Sequence, residues 1–466
     1  MKHLLFFILC LTSLAFAKAQ TEHYNGILDA MGNKLPLQLS LELQADSGDW
    51  TATLLSPTQS DEILTFDFVR RTTDSLIVRA TGLLEYRAVV AGNGFEGVFA
   101  QGNMEFPLTM QRGTYAHDPL ALITSRPQDP TDFEAYHVEE MYVVNRNGDT
   151  LQGTLTTPKG KHSKKLVILI SGSGPQDRNE ELLNHRPFLV LSDHLTRAGI
   201  ATYRYDERGV GASGGTYQGS TTHDLAQDVE DVIDTLEKHR SEIGYKELGL
   251  IGHSEGGLIA PMLASRNNAV DFVVMLAGPA ITGRRIIDTQ IGPSLQTSAL
   301  TDDQIELYKA LLSEHLNQAQ SVSNDNPNAA EIIKADTNRA WDYMRETYEE
   351  SERAAFDEVR SYVSMMAVDP WMDSFLDDDP VLYLPKVNVP VLALQGSLDQ
   401  QVLAEFNLPP LRKALAKNSK AKVVELPQLN HLFQTATSGY GNEYATIEET
   451  MAPAVLELVS KWVLDQ

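Results

Sequence analysis

The stretch "LGLIGHSEGGLIA", residues 248–260, decides how this chain reads. An apolar run ends in Gly252-His253-Ser254-Glu255-Gly256, and a second apolar run begins at once. The first run has the length and content of a buried strand, and the second opens a helix. Ser254 therefore sits on a tight strand-to-helix turn. The flanking glycines remove Cβ atoms that such a turn would bring into collision. Ser254 is either a hydroxyl held up for nucleophilic attack or a small residue in a tight connection. The strand-turn-helix setting favours attack.

A serine hydroxyl is a poor nucleophile without a base, and the base needs a carboxylate to fix its tautomer. Two residues further along the chain fit these roles. Asp399 follows the apolar run "VPVLALQG" in "GSLDQQV", and His431 follows the next run in "LPQLNHLF". Either residue alone has a plain explanation, a turn-capping carboxylate or a surface imidazole. Together, in the order Ser254, Asp399, His431 and each just past a strand, they read as a catalytic triad. His253 is a rival base, but neighbouring side chains at such a turn point apart, so it is expected to pack beside the sheet. His185, His194, His223 and His315 hold no strand-end position and read as surface or capping residues. Acyl transfer also needs donors for an oxyanion. The backbone amide of Glu255 is one, and the glycine-rich loop Ser171-Gly172-Ser173-Gly174-Pro175 offers the Ser173 amide as the other. No phosphate-binding glycine pattern occupies that loop.

Outward from Ser254, strand-like runs alternate with helical ones. "KKLVILISGSG", "GIATYRYDERG", "ELGLIGHSEGG" and "DFVVMLAGPA" precede residue 283, while "VPVLALQGSLD" and "AKVVELPQLNH" come only after residue 388. Between the second and third, "THDLAQDVEDVIDTLEKH" carries Leu225, Val229, Ile233 and Leu236 at helical spacing. This alternation predicts a mostly parallel sheet covered by helices on both faces. A hairpin around Asn147-Gly148 opens it. Residues 283–386 are helical and acidic and interrupt the sheet as an insertion. There "TDDQIELYKALLSEHL" begins with a capping box, Thr301 to Gln304, and aligns Ile305, Tyr308, Leu312 and Leu316.

Residues 20–115 read differently. "LPLQLSLELQA", "WTATLLSP", "ILTFDFVRR", "SLIVRATG" and "FEGVFAQGNMEFPLTMQR" alternate with period two, which predicts a small antiparallel sandwich or barrel. Residues 116–134, with three prolines in "DPLALITSRPQDPTDF", form a linker to residues 135–282, the first part of the α/β core; residues 387–466 complete it. The first 19 residues carry Lys2, an apolar run from Leu4 to Leu14 and Ala17-Lys18-Ala19, the pattern of an export leader cleaved near Ala19 or Gln20. The run is short for a membrane span, so no stable membrane insertion is expected. Cys10 is the one cysteine of the chain and lies in that leader, which leaves the exported protein without a disulfide or a thiolate metal site. A net charge of −25 argues against nucleic-acid partners.

Taken together, "SGSGPQDRNE" (171–180), "YRYDERGVGAS" (203–213), "GHSEGG" (252–257), "GSLDQQV" (396–402) and "LNHLF" (429–433) resemble the α/β-hydrolase superfamily. Within it the chain is similar to bacterial acyl hydrolases of the serine aminopeptidase and esterase D groups, over residues 135–466. The resemblance implies an α/β-hydrolase fold with a helical lid at 283–386 and no cofactor or metal. It implies that Arg204, Asp206, Arg208 and Gly209 order loops around the site, with Asp177 and Arg178 as a second loop-ordering pair. In the insertion, Trp371, Met372 and Phe375 of "PWMDSFLDDDP" are expected as walls of an acyl pocket.

The expected function is that of an exported serine hydrolase cleaving carboxylic esters of small to medium acyl groups. Ser254 attacks, His431 moves the proton, Asp399 orients His431, and the Glu255 and Ser173 amides hold the oxyanion. Partners are small-molecule esters or short peptides. Three alternatives stay open: an aminopeptidase or amidase on the same triad, an acyltransferase, and an inactive fold used for binding.

Overall fold

The computed structural model describes residues 20–30, 33–44, 48–56, 64–81, 84–101, 104–113, 126–160, 164–298, 300–322, 326, 328–364 and 369–466. The expected leader and Cys10 lie outside the described residues. The chain divides into two compact units, residues 1–57 with 61–118, and residues 58–60 with 119–466.

The first unit is a single antiparallel sheet of nine strands among the described residues. They are β1 (Gln20–Ala30), β2 (Asn33–Leu43), β3 (Trp50–Leu55), β4 (Leu64–Thr65), β5 (Phe68–Arg71), β6 (Ser75–Ala80), β7 (Leu84–Ala91), β8 (Gly94–Gln101) and β9 (Met104–Arg112). The order is β4-β3-β2-β1-β9-β8-β7-β6-β5, so the edge strands β4 and β5 are separated in the chain only by Phe66 and Asp67. A sheet whose two edges are joined by two residues has to curl until they meet, which makes the unit a barrel rather than a sandwich. "ILTFDFVRR", read from sequence as one strand, is broken at this seam. Inside, Leu37, Leu39 and Leu41 of β2 meet Leu76, Phe95 and Leu108. The alternation seen in the sequence is the inward face of β2.

The second unit is built on eight strands: β10 (Tyr136–Val144), β11 (Thr150–Pro158), β12 (Lys165–Ile170), β13 (Ala201–Tyr205), β14 (Glu247–His253), β15 (Phe272–Leu276), β16 (Val391–Gly396) and β17 (Ala421–Leu426). Their order is β10-β11-β13-β12-β14-β15-β16-β17. β10 and β11 form the expected hairpin, β11 pairs antiparallel with β13, and every later pair is parallel. β12 shows why the central runs are continuously apolar. Leu166, Ile168 and Ile170 enter one core, while Val167 and Leu169 enter the other. Both faces are buried, so alternation is lost. Each such side chain contributes about 1.5–3 kcal/mol on burial.

Helices α1 (Pro187–Arg197) and α11 (Pro453–Leu464) cover the Val167 face. On the Leu166 face lie α2 (Thr222–Lys238), the short α3 (Arg240–Ile243) and α4 (Gly256–Ala264). Between β15 and β16 come α5 (Gly283–Leu295), α6 (Asp302–Ser321), α7 (Ala329–Glu346), α8 (Arg353–Ser364) and α9 (Pro370–Asp377), and α10 (Ala404–Ala414) joins β16 to β17. α6 starts at the predicted capping box, with Thr301 Oγ1 accepting from the Gln304 amide. It buries Ile305, Tyr308, Leu312 and Leu316. Trp341 of α7 locks onto α6 by donating its indole N–H to the Leu311 carbonyl at 3.0 Å. No helix of the described residues is long and apolar enough to cross a membrane.

Candidate active site

β14 ends at His253 and α4 begins at Gly256, leaving Ser254 and Glu255 to make the whole turn. Ser254 takes φ +52°, left-handed backbone that costs a non-glycine residue about 1–3 kcal/mol. Its amide is tied to the Leu276 carbonyl of β15 at 2.9 Å, so the strain is held by the neighbouring strand. Both flanking glycines are obligatory. A Cβ on Gly252 would lie 1.9 Å from the Gly256 carbonyl oxygen, and one on Gly256 would lie 2.0 Å from that of Ile170. The result is a side chain raised at the carboxyl edge of the sheet, over the positive end of α4.

Asp399 and His431 follow β16 and β17. His431 Nδ1 meets Asp399 Oδ2 at 2.8 Å, with both groups buried. The carboxyl also accepts from Gln395 Nε2 at 2.7 Å and from the amides of Gln401 at 2.8 Å and Val402 at 2.9 Å. With Nδ1–H turned to this carboxyl, Nε2 is the nitrogen available for proton transfer. Ser254 and His431 border the same cavity, of about 190 Å³. No hydrogen bond within 3.5 Å closes between Ser254 Oγ and His431 among the described residues, the looser geometry common before substrate binds. A larger cavity of about 1070 Å³, bordered by His223, Asp378 and Tyr383, contains none of these three residues. It is a separate space.

The loop after β12 approaches Ser254 from the other side. A Cβ on Gly172 would stand 3.1 Å from that of Ser254. The amides around Ser173 are already engaged, Gly172 with Glu180 Oε1 at 2.7 Å and Gly174 with the Tyr217 hydroxyl at 3.1 Å. Neither the Ser173 nor the Glu255 amide makes a hydrogen bond among the described residues, and both residues border the cavity. The Glu255 side chain is a hub that sequence reasoning missed. Its Oε1 accepts from Thr222 Oγ1 at 2.6 Å and from Trp371 Nε1 at 2.9 Å. Burial pushes this carboxyl above its ordinary range, against the pull of its hydrogen bonds from Thr222, Trp371 and Ser173.

Trp371 and Phe375 stack with centroids 5.0 Å apart and border the cavity. Met372, expected beside them, does not; it is buried in the hydrophobic core with Leu376. On α9, residues 371 and 375 are one turn apart on one face, and residue 372 is rotated by roughly 100° from it.

Other expectations need correction. His185 is not a surface residue; it is fully buried, with Nδ1 3.1 Å from Thr450 Oγ1 and Nε2 2.9 Å from the Tyr444 carbonyl. His194 and His315 are half-buried against Ser460 and Thr337, and His223 is exposed beside Asp378. Asp177 and Arg178 do not pair with each other. Asp177 caps the amides of Asn179 and Glu181, while Arg178 holds Asp206 through Nε–Oδ1 at 2.9 Å and Nη2–Oδ2 at 2.7 Å. Arg204 reaches Asn179, and Arg208 grips Asp228 at 2.6 and 2.8 Å, with Gly209 turning the chain at φ +72°. These charges bind loop to loop and none borders the cavity. Among the described residues, no group of three or more His, Cys, Asp or Glu side chains is gathered as a metal site.

Comparison with known proteins adds the lineage. Residues 186–355 match the Hydrolase_4 family, described as serine aminopeptidase, S33. The chain is 24% identical over 341 residues to Esterase EstD of Thermotoga maritima, covering 72% of this chain and 69% of that one. Among solved structures it is similar to ferulic acid-bound Est1E from Butyrivibrio proteoclasticus, with 18% identity, TM-score 0.40 and 70% and 98% of the two chains covered. It is also similar to proline iminopeptidase from Mycobacterium smegmatis, with 14% identity, TM-score 0.41 and 70% and 98% covered. These likenesses support a hydrolase of the α/β-hydrolase superfamily, with relatives among both serine aminopeptidases and esterases.

Proposed function

We propose that this protein is an exported serine esterase that cleaves carboxylic esters of small to medium acyl groups. One observation carries the reading: His431, paired with the buried Asp399 at 2.8 Å, shares a cavity with Ser254 on its left-handed turn. Ser254 Oγ attacks the ester carbonyl while His431 Nε2 takes its proton. Asp399 holds the imidazole in the required tautomer and stabilises its positive charge. The tetrahedral oxyanion is met by the amides of Glu255 and Ser173, each such donor being worth about 3–4 kcal/mol. The C–O bond to the alcohol breaks as His431 returns the proton to it. Water then attacks the acyl-serine by the same route, releasing the acid and free Ser254. Acid-base assistance of this kind contributes roughly 10²–10⁴-fold.

The cavity of about 190 Å³, walled by Trp371 and Phe375, supports a short acyl group. Helices α5 to α9 act as a lid over it, and residues 1–19 act as the export leader. N-terminal sequencing of the protein recovered outside the cytoplasm tests the leader. For the chemistry, the test is stopped-flow reaction with p-nitrophenyl acetate, beside Ser254→Ala. A burst of phenol equal to the enzyme concentration, absent in the variant, supports the acyl-serine. A slow linear rate that the substitution leaves unchanged overturns it.

A second reading, as a serine aminopeptidase or amidase on the same Ser254, Asp399 and His431, is supported by the match of residues 186–355 to the S33 serine aminopeptidase family. Comparing the p-nitroanilide of an amino acid with the acetate ester separates the two readings.

A further inference from the structure

His253 adjoins the serine in sequence, yet the triad makes no use of it. It is buried, and both ring nitrogens are engaged. Nδ1 lies 2.8 Å from Glu180 Oε1, and Nε2 lies 3.0 Å from the backbone carbonyl of His431. A carbonyl oxygen has no proton to give, so Nε2 has to donate. Glu180 Oε1 already accepts the Gly172 amide at 2.7 Å, an arrangement that favours a carboxylate. Nδ1 then donates as well. An imidazole with hydrogen on both nitrogens is a cation.

Backbone strain points the same way. Glu180 holds φ +53°, a left-handed conformation that a glutamate has no intrinsic reason to adopt. Its carboxyl, itself buried, is thereby brought to serve the Gly172 amide and the His253 ring together. The groups facing that ring are Glu180 from the loop after β12, Asp399 from the loop after β16, and His431 from the loop after β17. The His431 ring itself is tilted against it, with centroids 4.8 Å apart. Burial acts to push the ring's affinity for its proton down. The Glu180 charge and hydrogen bond, the His431 carbonyl and the Asp399 charge together outweigh burial and hold it above the ordinary value.

We propose that His253 is a permanently protonated positioning residue, one cation that clamps the oxyanion loop, through Glu180, to the backbone of the catalytic base His431. This rests on the Ser254–Asp399–His431 reading above. The clamp sets where Nε2 of His431 stands relative to Ser254, and it fixes Gly172 beside Ser173. The other groups facing His431 are Asp399, Ser254 across the cavity, and the Tyr444 hydroxyl at its backbone amide.

The test uses the whole protein labelled with ¹⁵N-histidine, read by NMR in both the active and the Ser254→Ala forms. One histidine is expected to carry hydrogen on both ring nitrogens at pH 7, above the range where an ordinary imidazole loses its proton, and its signals vanish in His253→Gln. Glu180→Gln, nearly isosteric, is expected to turn that ring neutral. It also lowers kcat for p-nitrophenyl acetate by about tenfold with KM changed less than about twofold. His253→Gln removes the charged donors to Glu180 and to the His431 carbonyl and lowers kcat with little change in KM, where a purely structural role would lower stability and leave kcat per folded molecule in place. A neutral His253 ring at pH 7 in the unsubstituted protein overturns the proposal. So does a Glu180→Gln protein with the ring still charged and kcat unchanged. The NMR arm needs no turnover, so failure of the esterase reading and failure of the clamp are told apart.

Discussion

His253 and His185 are both buried in the same α/β unit, and their surroundings assign them opposite states. His253 faces a carboxylate, and its proton is held more tightly than in water. His185 faces the Tyr444 carbonyl and the Thr450 hydroxyl, with Arg126 the charge that acts on it. Burial pushes it down to about 4. Burial alone makes a histidine neutral, and a paired carboxylate reverses that. The wider lesson concerns the two pockets. Around Ser254, polar groups border a cavity and the backbone is strained, the arrangement the proposed chemistry requires. Around His185, polar groups point at loop backbone and hold the 444–450 segment, which serves stability.

That contrast breaks most decisively at Ser254. Ser254→Ala is expected to lower kcat/KM for p-nitrophenyl acetate by about 10⁴-fold or more, with little change in melting temperature. Ser254→Gly loses the same activity yet gains about 1 kcal/mol in urea unfolding, because glycine accepts φ +52° without strain. An equal loss of stability in both variants would mean that the turn is architecture. Asp399→Asn comes next. It is expected to cost about 10³–10⁴-fold in kcat, since an amide no longer enforces the Nδ1–H tautomer of His431.

The His185 pocket is expected to answer in the other currency. His185→Ala lowers unfolding free energy by about 2–4 kcal/mol while kcat per folded molecule changes less than about threefold. Its pH dependence has a definite sign. The unfolded chain takes up this proton near 6.5 and the native ring only near 4. Between those values the unfolded state binds more protons, so the stability is full above about pH 6.5 and falls as pH drops towards 4. The loss amounts to roughly 3 kcal/mol. Urea titrations at successive pH values read it, and the slope in this window flattens in His185→Ala. The smallest effect is placed at the cavity wall. Trp371→Phe keeps the stack on Phe375 but removes the N–H that Glu255 accepts. It is expected to change the ratio of butyrate to acetate turnover by about threefold, with stability nearly unaltered.

Much of the fold was legible because its signals are local. Continuous apolar runs marked β12, β14, β15 and β16, and the Thr301–Gln304 box marked the start of α6. The same locality misled at "ILTFDFVRR". Its alternation runs through Phe66 without pause, and only closure of the barrel splits it into β4 and β5. Met372 failed as a pocket wall because composition names the apolar residues of α9 and says nothing of which side the helix turns to the cavity. His185 failed because its partners lie some 260 residues away, at Tyr444 and Thr450. Glu180 gave no signal at all, being an ordinary glutamate until the sheet brings His253 against it.

The sequence by itself determined the serine turn, the order Ser254, Asp399, His431, and two units of different periodicity, since each is written in neighbouring residues or in their order. Tertiary structure decided which nitrogen of His431 faces Asp399, which aromatic side chains border the cavity, and which buried histidine is charged. Those depend on distances of a few ångströms between residues far apart in the chain. Hydrogen bonding and desolvation change sign over that range, and no local pattern in the sequence encodes it.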